Sequence, residues 1–439
     1  MTVSETFQGQ VWRRGEEGYE DARRAAVWQA RKFERYPDVI ARPANDADVV
    51  DAVRYARREG LKVKARGGGH SHTGSALRDG LMIDFTDLRE FTIDPQTRTG
   101  TVTPSVWSSE FGAAAWEHGL FFPGGHCPDV GMGGYLLQGG FGWNGRTLGM
   151  ACSSVRAIDV VTAEGELIHC DDTANSDYLW AARGAGPGFF GIVTRYHLDL
   201  HPAPKAMQAS VYVYPLDVLE ELLPWFLETG AGLPRPVEAF MMGAWTPDAD
   251  EPVLVIFVVS YYDGEEEGRA ALSPFEASPV IDRALARTFA RPTTYSGLYE
   301  LIDEPPQSRY HCDGMWTDTP PETLGPQLYE LFRTLPPPKS TLFIFPWREA
   351  HVHDGAFSLQ AGLYVSPYAT WDDPAQDERC SEWVIEQMKR LEPFSVGIQL
   401  ADENLINRPA PFMSPENLQR LERLRAIYDP DGLFHSYLA

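Results

Sequence analysis

Along the first two hundred residues the apolar positions change period repeatedly. Between residues 45 and 60 they recur at helical spacing. Val49, Val50, Val53 and Ala56 share one face, Asn45-Asp46 supplies a cap and Gly60 a stop. The period then falls to two over residues 61–65, a strand that runs directly into a glycine-rich stretch. Residues 81–85 read as another strand, and 91–93 with 101–103 as a strand pair joined through a turn at 95–100. Trp107, Phe111, Ala114 and Ala115 mark a helix, and residues 158–162 and 166–169 a hairpin around Glu164-Gly165. This alternation of short strands and helices predicts an α+β unit.

His201-Pro202-Ala203-Pro204 punctuates the chain, and beyond it the strands lengthen. Residues 211–214, 238–245, 253–262, 342–345 and 357–365 are predicted strands, with helices over 217–228 and 378–391. The pattern suits an antiparallel sheet backed by helices on one face. Pro305-Pro306, Pro320-Pro321 and Pro336-Pro337-Pro338 are expected in surface loops. A last helix should start at Ser414-Pro415-Glu416 and bury Leu418, Leu421, Leu424 and Ile427. Two domains are expected, 1–204 and 205–400, with 401–439 returning to the first across a hinge at Pro409-Ala410-Pro411.

Composition narrows the field of functions. With 439 residues and 43% hydrophobic positions the chain can bury two cores. A net charge of -24 makes nucleic acid and anionic membrane surfaces poor partners. The longest apolar run, residues 253–259, is far short of the ~20 residues that cross a bilayer. Five cysteines without framework spacing, and an N-terminus lacking a basic region followed by an apolar core, point to a cytoplasmic protein without structural disulfides. Oligomeric state leaves no mark in the sequence.

The chemistry concentrates in two glycine-rich runs. The first reads Arg66-Gly67-Gly68-Gly69-His70-Ser71-His72-Thr73-Gly74. The second reads Gly124-Gly125-His126-Cys127-Pro128-Asp129-Val130-Gly131-Met132-Gly133-Gly134, followed by Gln138-Gly139-Gly140-Phe141-Gly142. Glycine lets a backbone turn sharply and bring its N–H groups close to a phosphate. Two such loops suit a dinucleotide held between them. Gly186-Pro187-Gly188-Phe189-Phe190-Gly191 also fits Gly-x-Gly-x-x-Gly, but it follows a helix-like segment and precedes a strand, the reverse of a nicotinamide fingerprint.

These runs resemble the Arg-x-Gly-Gly-His-Ser and Cys-Pro-x-Val-Gly-x-Gly-Gly segments of the berberine bridge enzyme-like flavoprotein oxidases, a branch of the vanillyl-alcohol oxidase superfamily. Arg183-Gly184 through Thr194 and the closing Tyr428-Asp429-Pro430-Asp431-Gly432-Leu433-Phe434 are similar to two further family blocks. The resemblance implies a PCMH-type FAD-binding domain plus a substrate domain. It implies FAD bonded through its 8α carbon to His70 and through C6 to Cys127. Arg66, Gly67, Gly68, Gly69, His70, Ser71 and Gly74 would hold the pyrophosphate side, and Val130, Gly131, Gly133 and Gly134 would line the cofactor. Gly139, Gly140, Gly142, Gly191 and Val193 complete the expected binding set. The implied reaction is two-electron oxidation of a small molecule, with dioxygen as acceptor and hydrogen peroxide as product. An alcohol or hemiacetal on a bulky secondary metabolite or carbohydrate is the expected substrate group, with oxidative cyclisation and amine or phenol oxidation as alternatives.

The base is the point of departure from the family. Where many members carry Tyr-x-Asn-Tyr, this chain reads Gly397-Ile398-Gln399-Leu400-Ala401-Asp402-Glu403-Asn404, with neither tyrosine. Glu349 and Tyr310 are the candidates, with His311 a further option. A reading from another class takes His70, His72, His351 and His353 as ligands of a metal-dependent hydrolase, since His-x-His on a strand sends both imidazoles to one side. A three-glycine turn is a poor frame for such ligands, and the flavoprotein reading needs no metal.

Overall fold

A computed structural model describes residues 3, 5–247, 250–300, 307–348 and 353–438. Near the N-terminus, four strands form a sheet in the order Gln10–Arg13, Val39–Arg42, Leu81–Asp84, Val63–Arg66, the last three parallel. Helix Asp46–Glu59 makes the crossover between Val39–Arg42 and Val63–Arg66. Asn45 caps it by accepting from the Asp48 N–H, and Gly60 ends it at φ 67°, where a residue with a Cβ would be strained.

An antiparallel sheet follows in the order Phe91–Asp94, Thr99–Val102, Ile192–Asp199, Val155–Val161, Leu167–Cys170. Its core contains Met132 and Leu136 of helix Met132–Leu137, together with Leu421 and Leu424 of the C-terminal helix Pro415–Tyr428. The chain end pairs back onto the first sheet. Val63 N–H donates to Leu433 O at 2.8 Å and His435 N–H to Val63 O at 3.0 Å.

The second half builds a sheet of eight strands among the described residues. Its order is Ala286–Pro292, Ala206–Pro215, Val253–Tyr262, Val237–Ala244, Thr341–Pro346, Leu363–Trp371, Arg309–Cys312, with Met315–Thr317 also on Leu363–Trp371. Alternation along each strand separates its two faces. Leu254, Ile256, Val258, Leu342 and Ile344 pack under helices Leu219–Gly232, Pro321–Arg333 and Asp377–Leu391. Phe240, Phe257, Phe343 and Phe345 face the other way, onto Phe121 and Trp143 of the first half. That aromatic seam brings the glycine loops against the large sheet.

Three sequence expectations shift. The strand predicted over 357–365 starts at Leu363, because the segment before it is drawn to the first half: Ala356 N–H donates to Trp180 O and Phe357 N–H to Arg183 O. Pro320-Pro321 opens a helix, with Pro321 at its first position where no N–H is missed. Ile427 is 65% exposed rather than on the buried face. Pro305-Pro306 lies outside the described residues.

Candidate functional site

The two glycine loops meet backbone to backbone. A Cβ added to Gly68 would stand 2.6 Å from both the N and Cα of Gly131, so only glycines allow this approach. Around the junction lie two cavities. One, of about 200 Å³, is lined by Gly67, Gly68, Gly69, His70, Ser71, Cys127, Val130, Gly131 and Gly134. The other, of about 120 Å³, is lined by Lys64, Gly133, Gly191, Val193, Phe434 and His435. Ala65, Gly67, Ser75, Gly134 and Gln138 belong to both walls, so the two form one elongated crevice.

His70 is held from two sides. Its ring stacks on Trp28 with centroids 4.1 Å apart, and its Nε2 lies 3.1 Å from Asp129 Oδ1. The Trp28 indole donates to the other oxygen of the same carboxylate. The neighbour of Cys127 is fixed as well. His126 Nε2 donates to Glu238 Oε1 at 2.8 Å, and buried Glu238 also accepts the Asn144 N–H at 2.8 Å, joining the second loop to the large sheet. All five cysteines are thiols. Cys127 alone is partly exposed, whereas burial pushes Cys152 and Cys170 up to about 12.

The remaining predicted binding residues divide by role. The Arg66 guanidinium donates to Ala26 O, Gly67 O and Thr86 Oγ1 and lies 3.4 Å from Asp84 of the neighbouring strand, so it braces the loop. Ser71 Oγ accepts the Ser75 N–H and fixes the turn beyond His70. Gly74, Gly139, Gly140 and Gly142 line neither cavity. Gly139 and Gly140 sit at φ 102° and 78°, packed on Phe357 and Ala151, and Gly142 lies against Gly124 O. Gly74 at φ 61° abuts the Phe33 ring. These four glycines shape the loops from behind.

Of the candidate bases, Glu349 lies outside the described residues, as does His351. Tyr310 is 2% exposed and stands behind the wall, against Trp28 at 4.9 Å and His72 at 5.9 Å. His311 is half-buried beside Arg31, its pKa lowered to about 4 chiefly by desolvation. The structure brings two other groups to the crevice, Tyr368 and Asp402. Asp402 accepts from the phenols of Tyr364 and Tyr368, the latter at 2.7 Å, and from Ser366 Oγ at 3.4 Å. Burial raises its pKa above the ordinary carboxylate value, and the hydroxyl hydrogen bonds only partly offset this. The signal available in the sequence was the period-two spacing of Tyr364, Ser366 and Tyr368, which puts three hydroxyls on one strand face.

Among the described residues, His70, His72 and His353 of the metal reading do not gather into one ligand set. His70 and His72 stand edge to face at 5.7 Å, and His353 binds Ser153 Oγ through its backbone N–H. Burial pushes His72 down to about 3, so it is neutral.

The crevice fits a flavin dinucleotide on its own evidence. His72 Nδ1 and Gln399 Nε2, both on its wall, are buried without a hydrogen-bond partner in the structure. A Cβ on Gly134 would meet nothing within 4 Å and would project into the space shared by both cavities. This is the surface a planar ring and a pyrophosphate require.

Comparison with known proteins agrees. Residues 37–171 match a family model described as FAD binding domain. The chain is 31% identical to the FAD-linked oxidoreductase ptmO of Penicillium ochrochloron, over 96% of this chain and 94% of that protein. Its structure superposes on 6-hydroxy-D-nicotine oxidase from Arthrobacter nicotinovorans with a TM-score of 0.88 at 23% identity, covering 100% of this chain and 98% of that one. It superposes on the berberine bridge enzyme-like protein 1 of Physcomitrella patens with a TM-score of 0.83 at 19% identity, covering 99% and 98%. The chain belongs to the FAD-linked oxidoreductases, the family of ptmO. It is an oxidoreductase enzyme, and its fold is the PCMH-type flavoprotein fold. No helix among the described residues is long and apolar enough to cross a membrane.

Proposed function

We propose that the protein is an oxidase whose FAD is attached at both His70 and Cys127, and that it oxidises an alcohol or hemiacetal group on a bulky small-molecule substrate. The observation that carries this reading is the shared wall: both residues line one crevice, beside a glycine surface shaped for a dinucleotide. When bound, FAD would accept a hydride at N5 and pass two electrons to dioxygen, giving hydrogen peroxide.

The chain's own residues then have distinct tasks. Gly67 to Gly69, Gly131 and Gly134 let the cofactor approach the backbone, and Gly133, Gly191 and Val193 shape the far end of the crevice. Asp129 and Trp28 orient the His70 imidazole. Tyr368 is placed to take the substrate proton, with Asp402 receiving the phenol hydrogen behind it. Phe141 on the same wall offers an apolar surface for a ring or sugar face. Most aromatics of the second half serve the core instead. Trp316, Trp347, Tyr364 and Tyr261 are buried, and Trp225, Trp245 and Tyr262 pack on the helix side. On this layout the flavin domain comprises residues 1–204 with 401–439, and the substrate domain residues 205–400.

The test is anaerobic mixing of purified protein with a panel of alcohols, sugars, amines and phenols, followed by aeration. Bleaching of the flavin by a hydroxyl-bearing compound, then one peroxide per turnover, is the expected result. Bleaching by amines alone would replace the substrate class, and bleaching without peroxide on aeration would replace the acceptor.

A further inference from the structure

We propose that Asp159, His169 and His197 form a binding site for one divalent transition-metal ion of the zinc class, on the open face of the five-stranded sheet and separate from the flavin crevice. The three residues come from adjacent strands, Val155–Val161, Leu167–Cys170 and Ile192–Asp199. Asp159 is directly opposite His169, and His197 is opposite Ala157, two residues along. Partners in register, and those two residues away, share a face, so all three side chains rise together.

They also converge. His169 Nδ1 lies 2.6 Å from Asp159 Oδ1, and His197 Nε2 lies 3.0 Å from Asp159 Oδ2. The rings stand edge to face with centroids 5.2 Å apart, and one ligand atom from each residue falls within 4.8 Å of the others. Metal–nitrogen and metal–oxygen bonds of roughly 2.0–2.1 Å place tetrahedral ligand atoms about 3.3 Å apart, within reach of small side-chain rotations. Entering metal would take the imidazole lone pairs and the carboxylate, displacing the protons now shared between them.

The surroundings favour a cation. The cluster opens on a cavity of about 570 Å³ bordered by Asp171, Asp172 and Asp199, and none of its lining residues belongs to the flavin crevice. The cavity's one arginine, Arg156, faces Asp199 at 3.6 Å. Asp171 Oδ2 lies 3.9 Å from His169 Nε2, whereas Asp159 meets the other ring nitrogen, Nδ1, which leaves a fourth metal position beside Asp159 to water. Two imidazoles with one carboxylate suit Zn²⁺, Co²⁺ or Ni²⁺, whereas Mg²⁺ and Ca²⁺ prefer oxygen ligands alone. Leu167–Cys170 is the edge of its sheet, so an ion here would tie that edge to the next two strands.

The experiment is calorimetric titration of chelator-treated holoprotein with ZnCl₂ and, separately, MgCl₂, on wild type, His169→Ala, His197→Ala and the double variant. One zinc per chain is expected in wild type, roughly tenfold or weaker binding in each single variant, and loss of that site in the double variant. Mg²⁺ should give no heat. Co²⁺ absorption should show tetrahedral coordination by mixed nitrogen and oxygen ligands that disappears in the double variant. Flavin content and far-ultraviolet circular dichroism matching wild type would show the variants folded, as expected for side chains on an open face. Zinc binding of equal strength in wild type and the double variant, or no zinc binding by wild type, would overturn the proposal.

Discussion

The Tyr368 phenol donates to Asp402 Oδ1 at 2.7 Å, while Tyr364 donates to the other oxygen of the same carboxylate. Asp402 thus has hydroxyl partners at both oxygens, on the crevice that His70 and Cys127 also line. On the proposed function, the base chemistry falls to Tyr368 with Asp402 as its acceptor. Tyr368→Phe should slow anaerobic flavin reduction by about 10²-fold or more, with flavin content unchanged, as expected for loss of a positioned base. Asp402→Asn should slow it less. Unchanged stopped-flow rates in both variants would return the base to another residue.

Two glycines only 66 positions apart in sequence should respond in opposite ways. At Gly134 a new Cβ enters open crevice, so Gly134→Val should fold with wild-type circular dichroism yet carry little flavin. At Gly68 the same atom meets the Gly131 backbone at 2.6 Å, so Gly68→Ala should itself destabilise the fold, by about 1–3 kcal/mol. Denaturant midpoints together with bound-flavin absorbance separate the two effects.

Much of this arrangement was legible in local sequence. Gly60, Gly69 and Gly140 occupy positive φ, a demand one residue can announce, and the helix over 46–59 carries both its cap and its stop. Asp402 was not legible, because its importance comes from Tyr364 and Tyr368, which reach it across 38 and 34 residues of chain. The strand predicted to begin at 357 failed for the same kind of reason. Its hydrophobic run is real, but Phe357 fills a gap beside Gly139 and Gly184 in the other half of the molecule. Local pattern reports local geometry, while the partner across the seam belongs to topology.

Lys64 gives the pH dependence a sign. Its side chain is half-buried on the crevice wall, with the Pro187 carbonyl at 3.2 Å, and desolvation lowers its pKa from 10.5 to about 7. Between those values the unfolded chain holds a proton that the folded chain releases. Stability of the flavin-free protein should therefore rise with pH from about 7 to 10.5, by about 1.4 kcal/mol per pH unit from this group. Lys64→Met should flatten that slope and raise the unfolding temperature at pH 6. An unaltered slope would show that Lys64 is solvated.

Arg408 anchors the segment that carries Asp402. Its Nε and Nη2 donate to the Asp313 carboxylate at 2.8 and 2.6 Å, and Nη2 also to Gly314 O at 2.6 Å, with both side chains buried. Removing one partner leaves a buried charge unpaired, so Arg408→Met should cost about 3–5 kcal/mol. Arg408→Met combined with Asp313→Asn should recover part of that loss in urea unfolding.

One flavin joined to the chain at both His70 and Cys127 would show in the mass and visible spectrum of the denatured protein. Wild type should retain flavin through denaturation and ultrafiltration, His70→Ala and Cys127→Ala should each retain it through the remaining bond, and the double variant should release it. Release of all flavin from denatured wild type, with the bare chain mass left behind, would contradict the account.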